Sequence, residues 1–294
     1  SQYTDTYQAT DFKELYIGSG SVDGFDSTKD RIEIAVPEDG LAYSTTNGQG
    51  LTITGDGAAI TVENFNFDGD NDIKVNEGTT AGMKLDVTLT GALDENGGYA
   101  ATTYAEEIHG TGKVHGLTSA DRVTTENDFY LGRINNGNLL IKDGGADSTN
   151  VIEVTDYKWD GSTFIRVNDT YTMGEKIHVK LTDGFEYTTT KNNESISGVG
   201  SVSGMSEYDK LEMTDGTVTY HRNGNSDTLT VTDGTSTINV TDFAFDGEHN
   251  INVNDDPTDF NTVIKVSLDN NAVYTTTGYT EEISGTGSVA ASAI

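Results

Sequence analysis

A chain of 294 residues with 48 acidic and 17 basic side chains carries a formal net charge of −31, which repels nucleic acid and anionic lipid and attracts cations instead. It has no Cys, so disulfide frameworks, thiolate zinc sites and thiol nucleophiles are excluded, and no apolar run approaches the roughly 18 residues that a membrane span requires. With 34 Gly, only 2 Pro, and runs of Thr, Val, Ile and Tyr between Asn-Gly, Asp-Gly and Gly-Gly pairs, its vocabulary is that of an all-β protein.

Residues 3–22 read YTDTYQATDFKELYIGSGSV, a phrase that returns over 274–289 as YTTTGYTEEISGTGSV. No basic-then-apolar leader precedes it; Ser1 as a processed terminus and an export signal elsewhere both stay open. The Gly-x-Gly-x-Val core of the phrase occurs four times, with its second glycine at Gly20, Gly112, Gly200 and Gly287, spacings of 92, 88 and 87 residues. A fixed period of that length announces tandem copies of one unit. The Gly-x-Gly phrases lead into β-type sequence, so they read as strand bends rather than phosphate cradles.

Nine or ten residues after that glycine comes an acid–base–aliphatic triplet: Asp30-Arg31-Ile32, Asp121-Arg122-Val123, Asp209-Lys210-Leu211. A two-strand block follows, at residues 51–76, 139–168 and 229–254. Inside it Leu229-Thr230-Val231-Thr232 and Ile238-Asn239-Val240-Thr241 alternate with period two, which predicts strands with one buried face. Asp56-Gly57 and Asp233-Gly234 sit between such runs and predict hairpin turns. The block ends on aromatics, Phe65, Phe67, Trp159, Phe243 and Phe245. A sugar-stacking platform and core filling are the two readings, and the dominance of Phe favours core. A Tyr/Thr-rich strand closes each copy, at residues 99–104, 187–190 and 274–277.

These elements predict an all-β fold of three tandem β-sandwich or β-roll-like modules, each of about ninety residues and mainly antiparallel. The modules span residues 18–108, 109–196 and 197–283. Residues 1–17 form an unmatched N-terminal strand segment and residues 284–294 an unmatched opening strand. An unmatched strand seeks a sheet edge, so one chain's C-terminal strand is expected to complete the next chain's N-terminal module.

Two sets of acids are candidate metal ligands. Asp68, Asp70 and Asp72 alternate in a turn, a spacing at which oxygens converge on calcium. Asp246 and Glu248 are the counterparts in the third copy, while Asp160-Gly161-Ser162 in the second has lost most of its acid. The plainer reading of such turns is local hydrogen bonding by Asp and positive φ at Gly. Asp30, Asp121 and Asp209 form the second set, as metal ligands, ion-pair partners of the following base, or hydrogen-bonded turn residues. None of the five His recurs at one position in all copies, and no HExxH, Walker or GxSxG pattern exists. No catalytic residue is expected, since repetition argues for a scaffold rather than one asymmetric site.

Over SGSVDGFDSTKDRIEI (19–34) and LTITGDGAAITVENFNF (51–67) the chain resembles secreted RTX-type, haemolysin-like calcium-binding bacterial proteins, though it lacks their Gly-Gly-x-Gly-x-Asp nonapeptide. The resemblance implies secretion, calcium-dependent order and a surface, adhesive or matrix role. The expected function is an extracellular structural subunit that polymerises head to tail into a filament, surface layer or biofilm matrix, with Ca2+ as stabiliser. The alternative is a calcium-dependent adhesin for surface glycans.

Overall fold

A computed structural model describes residues 6–36, 40–69, 72–91, 98–214, 216–259, 261–269 and 273–291. The secondary structure found there is all β, and no helix is long and apolar enough to cross a membrane. Residues 1–130, 139–157 and 164–172 form one compact unit, and residues 131–138, 158–163 and 173–294 a second.

The first unit is organised around one long strand, Ala105–His115, here called the first junction strand. Its first half lies between Lys84–Thr90 and Arg122–Val123, in register at Asp86↔Glu107↔Arg122. Its second half lies between Tyr99–Ala100 and Val151–Val154, in register at Tyr99↔Val114↔Val154. All four contacts are parallel. Ile108 and Val114 are consequently enclosed from both sides and wholly buried.

In the second unit Asn193–Ser203, the second junction strand, repeats the arrangement. Lys176–Thr188 runs parallel along one side, with Lys210–Glu212 and Thr237–Val240 on the other. Ile196 and Val202 are the buried pair. They belong to a core that includes Leu211, Leu229, Val231, Ile238, Val240, Phe243 and Tyr274.

Two strand pairs begin the same pattern without completing it. Near the N-terminus the leading strands are Leu15–Ile17 and Gly20–Asp23. Gly20–Asp23 has parallel partners on both sides, Thr6–Gln8 and Ala58–Val62. Leu15–Ile17 pairs with Arg31–Glu33, and no strand lies on its other side among the described residues. Near the C-terminus the trailing strands are Thr280–Gly285 and Ser288–Ala290. They pair with Val263–Leu268 and Val273–Thr275, and here it is the opposite edge that no described strand covers.

Local hairpins supply the antiparallel contacts, and the Asp-Gly turns lie where the sequence puts them. Asp56-Gly57 joins Gln49–Gly55 to Ala58–Val62, with φ of 45° and 78° at the two turn residues. Both lie in the left-handed region that a type I′ hairpin requires. Asp233-Gly234 lies between the antiparallel strands Leu229–Thr232 and Thr237–Val240. The expectation of a mainly antiparallel protein is corrected, because every described pairing other than a local hairpin is parallel and the sheets are mixed. Hairpins announce themselves through turn residues. Parallel partners are joined by long connections and leave no local signature.

The repeated Gly-x-Gly phrase has a steric cause. Gly110, Gly198 and Gly285 have φ of 96°, 99° and 99°. A Cβ on them would lie 2.1, 2.2 and 2.2 Å from the carbonyl oxygens of Leu89, Leu181 and Leu268. The junction strand passes against its upstream neighbour at this point, closer than any side chain permits. Gly18 has the same φ, 100°, and nothing within 4 Å of its would-be Cβ.

Candidate functional site: the junction strands

Each junction is pinned by two carboxylates. The first belongs to the Asp that precedes the basic residue. Asp121 is buried; its Oδ1 accepts from the Glu106 N–H at 3.1 Å, and its Oδ2 from the Thr118 N–H at 2.7 Å and hydroxyl at 2.9 Å. Asp209 does the same with the Glu194 N–H at 3.0 Å and with the N–H and hydroxyl of Ser206, both at 2.8 Å. Asp30 accepts from the Glu14 and Asp26 N–H groups at 3.0 and 2.9 Å. Both oxygens of all three side chains thus face donors of their own chain. That is the geometry of the hydrogen-bonded turn residue, the third of the roles open to them from sequence.

The second carboxylate was not singled out from the sequence. Tyr99-x2-Thr102-x3-Glu106 is a closed ring of hydrogen bonds: Glu106 Oε1 accepts from the Tyr99 hydroxyl at 2.8 Å and from the Thr102 N–H and hydroxyl at 2.9 and 2.5 Å. The same spacing recurs as Tyr7-Thr10-Glu14, Tyr187-Thr190-Glu194 and Tyr274-Thr277-Glu281, with the tyrosine donating to the glutamate every time. The available signal was an invariant offset of seven residues from Tyr to Glu within the Tyr/Thr-rich strand.

Environment divides these glutamates. Burial pushes the carboxyls of Glu106 and Glu194 above their ordinary range, because desolvation disfavours the charged form. Glu14, at the uncovered leading edge, is drawn down to about 2, chiefly by the hydrogen bond from the Tyr16 hydroxyl. A buried cation accompanies the tyrosine in the second unit. Arg133 donates to the Tyr187 hydroxyl at 3.2 Å and lies 3.7 Å over the Trp159 ring; Arg222 donates to Tyr274 at 3.3 Å and lies 3.7 Å over Phe245. The tyrosine hydroxyl therefore relays a guanidinium to a carboxylate, accepting from one and donating to the other. Thr45 holds the equivalent place in the first copy, and its buried hydroxyl has no hydrogen-bond partner among the described residues.

The turn acids are placed differently. Asp246 Oδ1 accepts from the N–H groups of Glu248 and His249, both at 2.9 Å, and its Oδ2 pairs with His249 Nδ1. Glu248 is exposed in the same turn. Asp72 Oδ1 accepts from the Thr80 hydroxyl at 3.1 Å and the Tyr104 hydroxyl at 3.4 Å. Asp68 accepts from the Asn66 amide, and Asp70 lies outside the described residues. No three acidic or histidine side chains converge among the described residues. The aromatics sit as core: Phe65 and Phe243 are buried, each edge-to-face at 4.8 Å with its neighbour Phe67 or Phe245.

No family model, curated protein or solved structure matches the chain.

Proposed function

We propose that this chain is an extracellular structural subunit that assembles head to tail by exchanging strands at its two incomplete junctions, into a filament, surface layer or matrix. The supporting observation is a set of core residues left in solvent at the two uncovered edges. Ile283 and Val289 are 37 % and 52 % exposed, whereas Ile108, Ile196, Val114 and Val202, at the same register positions, are each 0 % exposed. Tyr7 is 49 % exposed, whereas Tyr99, Tyr187 and Tyr274 are 8 % or less. The trailing strands have an upstream neighbour and no described downstream one, whereas Leu15–Ile17 has a downstream neighbour and no described upstream one. Joining the two edges would make one more junction of the interior kind. Burying each exposed aliphatic is worth on the order of 1–2 kcal/mol, and backbone pairing at the shared edge adds register. Such a contact does not close on itself and propagates.

Divalent cations enter this reading as counter-ions that lower repulsion between chains of net charge −31. Electron microscopy of the purified chain at rising concentration, with light scattering in parallel, tests the reading. Regular linear polymers are expected; monomers throughout would sink it.

A further inference from the structure

On the strand-exchange reading, we infer that the exchange has one direction and one electrostatic key: the trailing strands of one copy displace the leading strands of a second copy, and Glu282 then sits beside Arg31 of that copy. In the first junction Glu107 is the register partner of Arg122, and their side chains form an ion pair that also takes in Lys84, whereas in the second Ser195 faces Lys210. The corresponding residue of the leading strand is Leu15, the register partner of Arg31. Arg31 therefore has no acid on that strand. Its Nη2 reaches Glu33 and Glu77, and its buried Nε finds no acceptor among the described residues. The corresponding residue of the trailing strand is Glu282, register partner of Lys265. One end holds a base with no acid opposite it in register, and the other an acid whose downstream side faces no described strand.

The neighbouring positions agree. Ile283 matches Ile108 and Ile196, whereas the leading strand has Tyr16 there. The next position is polar in both junction strands, His109 and Ser197, and in the trailing strand, Ser284; the leading strand has Ile17, which is 71 % exposed. The leading strands are two pieces of three and four residues and the trailing strands two of six and three, where each junction strand runs unbroken for eleven. Residues 6–23 thus act as an imperfect placeholder for a better-fitting strand. The reverse exchange would set apolar Leu15 between Lys265 and Arg31, in the place where the first junction has Glu107.

The absence of Cys makes single-cysteine variants clean reporters of this contact. Full-length Glu282→Cys and Arg31→Cys chains, mixed under mild oxidation, are expected to form a mixed disulfide that neither variant forms alone. In a second measurement, Glu282→Arg slows polymer growth by about tenfold, and growth returns on mixing with Arg31→Glu chains. Gly18→Ala, a change in the placeholder alone, leaves growth undiminished. Filaments without the mixed disulfide, or filaments abolished by Gly18→Ala, would overturn the direction and the key while leaving strand exchange standing. Failure of the unaltered chain to polymerise would overturn both.

Discussion

A carboxylate enclosed in a β protein must have its oxygens occupied, because leaving buried donors or acceptors unmade costs about 1–3 kcal/mol each. Asp121 holds three donors, from Glu106 and Thr118, on a loop that would otherwise leave the sheet. Asp121→Ala is expected to lower stability by about 3 kcal/mol in urea denaturation, and a loss below about 0.5 kcal/mol would show that the loop holds itself. Glu106 and Glu194 make a separate pH-dependent contribution. Their folded-state pKa is raised above the usual 4.5, so the folded state binds these protons more tightly than the unfolded one. That contribution is fully present below pH 4.5 and is lost as the pH rises through the folded value. Glu14, held near 2, acts in the opposite sense, its contribution disappearing as the pH falls from 4.5 toward 2. Glu106→Gln is therefore expected to show a smaller difference in unfolding midpoint between pH 5 and pH 8 than the unaltered chain. An unchanged difference would assign the slope to other groups.

At the scale of strands, two kinds of glycine have different consequences. Gly198 combines φ of 99° with a carbonyl 2.2 Å from where Cβ would stand, so Gly198→Ala should cost about 3 kcal/mol or more. Gly57 has φ of 78° and open space, so Gly57→Ala should cost about 1 kcal/mol. Equal losses would mean that backbone strain, not close approach, selects the Gly-x-Gly phrase. The same contrast explains what could be read from residues alone. Period-two alternation and Asp-Gly pairs act within a few residues, so the strands and hairpins, such as Gln49–Gly55 with Ala58–Val62, were visible. The pairing of Lys84–Thr90 with Ala105–His115 depends on a connection of intermediate length whose sequence says nothing of direction, so the parallel arrangement was not. Asp30, Asp121 and Asp209 stood out by recurrence, but their task depends on N–H groups 15 or 16 residues upstream in Glu14, Glu106 and Glu194. The glutamates themselves were hidden among 48 acids and emerge only through the tyrosines that bond to them.

For the whole molecule, charge opposes the proposed assembly, while edges that no described strand covers favour it. Two chains of net charge −31 repel, and salt shortens the reach of that repulsion to about 10 Å at 0.1 M. Polymer growth is therefore expected to be faster in 0.5 M than in about 0.02 M sodium chloride, measured by light scattering. Slower growth at high salt would mean that the Glu282–Arg31 attraction outweighs the bulk field.

The direction in which the paired strands run has a mechanical consequence. When a chain is pulled from its two ends, an antiparallel hairpin is loaded at one end and opens like a zip, one hydrogen bond at a time. Parallel neighbours such as Lys176–Thr188 and Asn193–Ser203 are drawn in opposite senses along their length, so their ladder is loaded in shear and its bonds must yield together. A thread built from such junctions would bear tension through its longest parallel ladders.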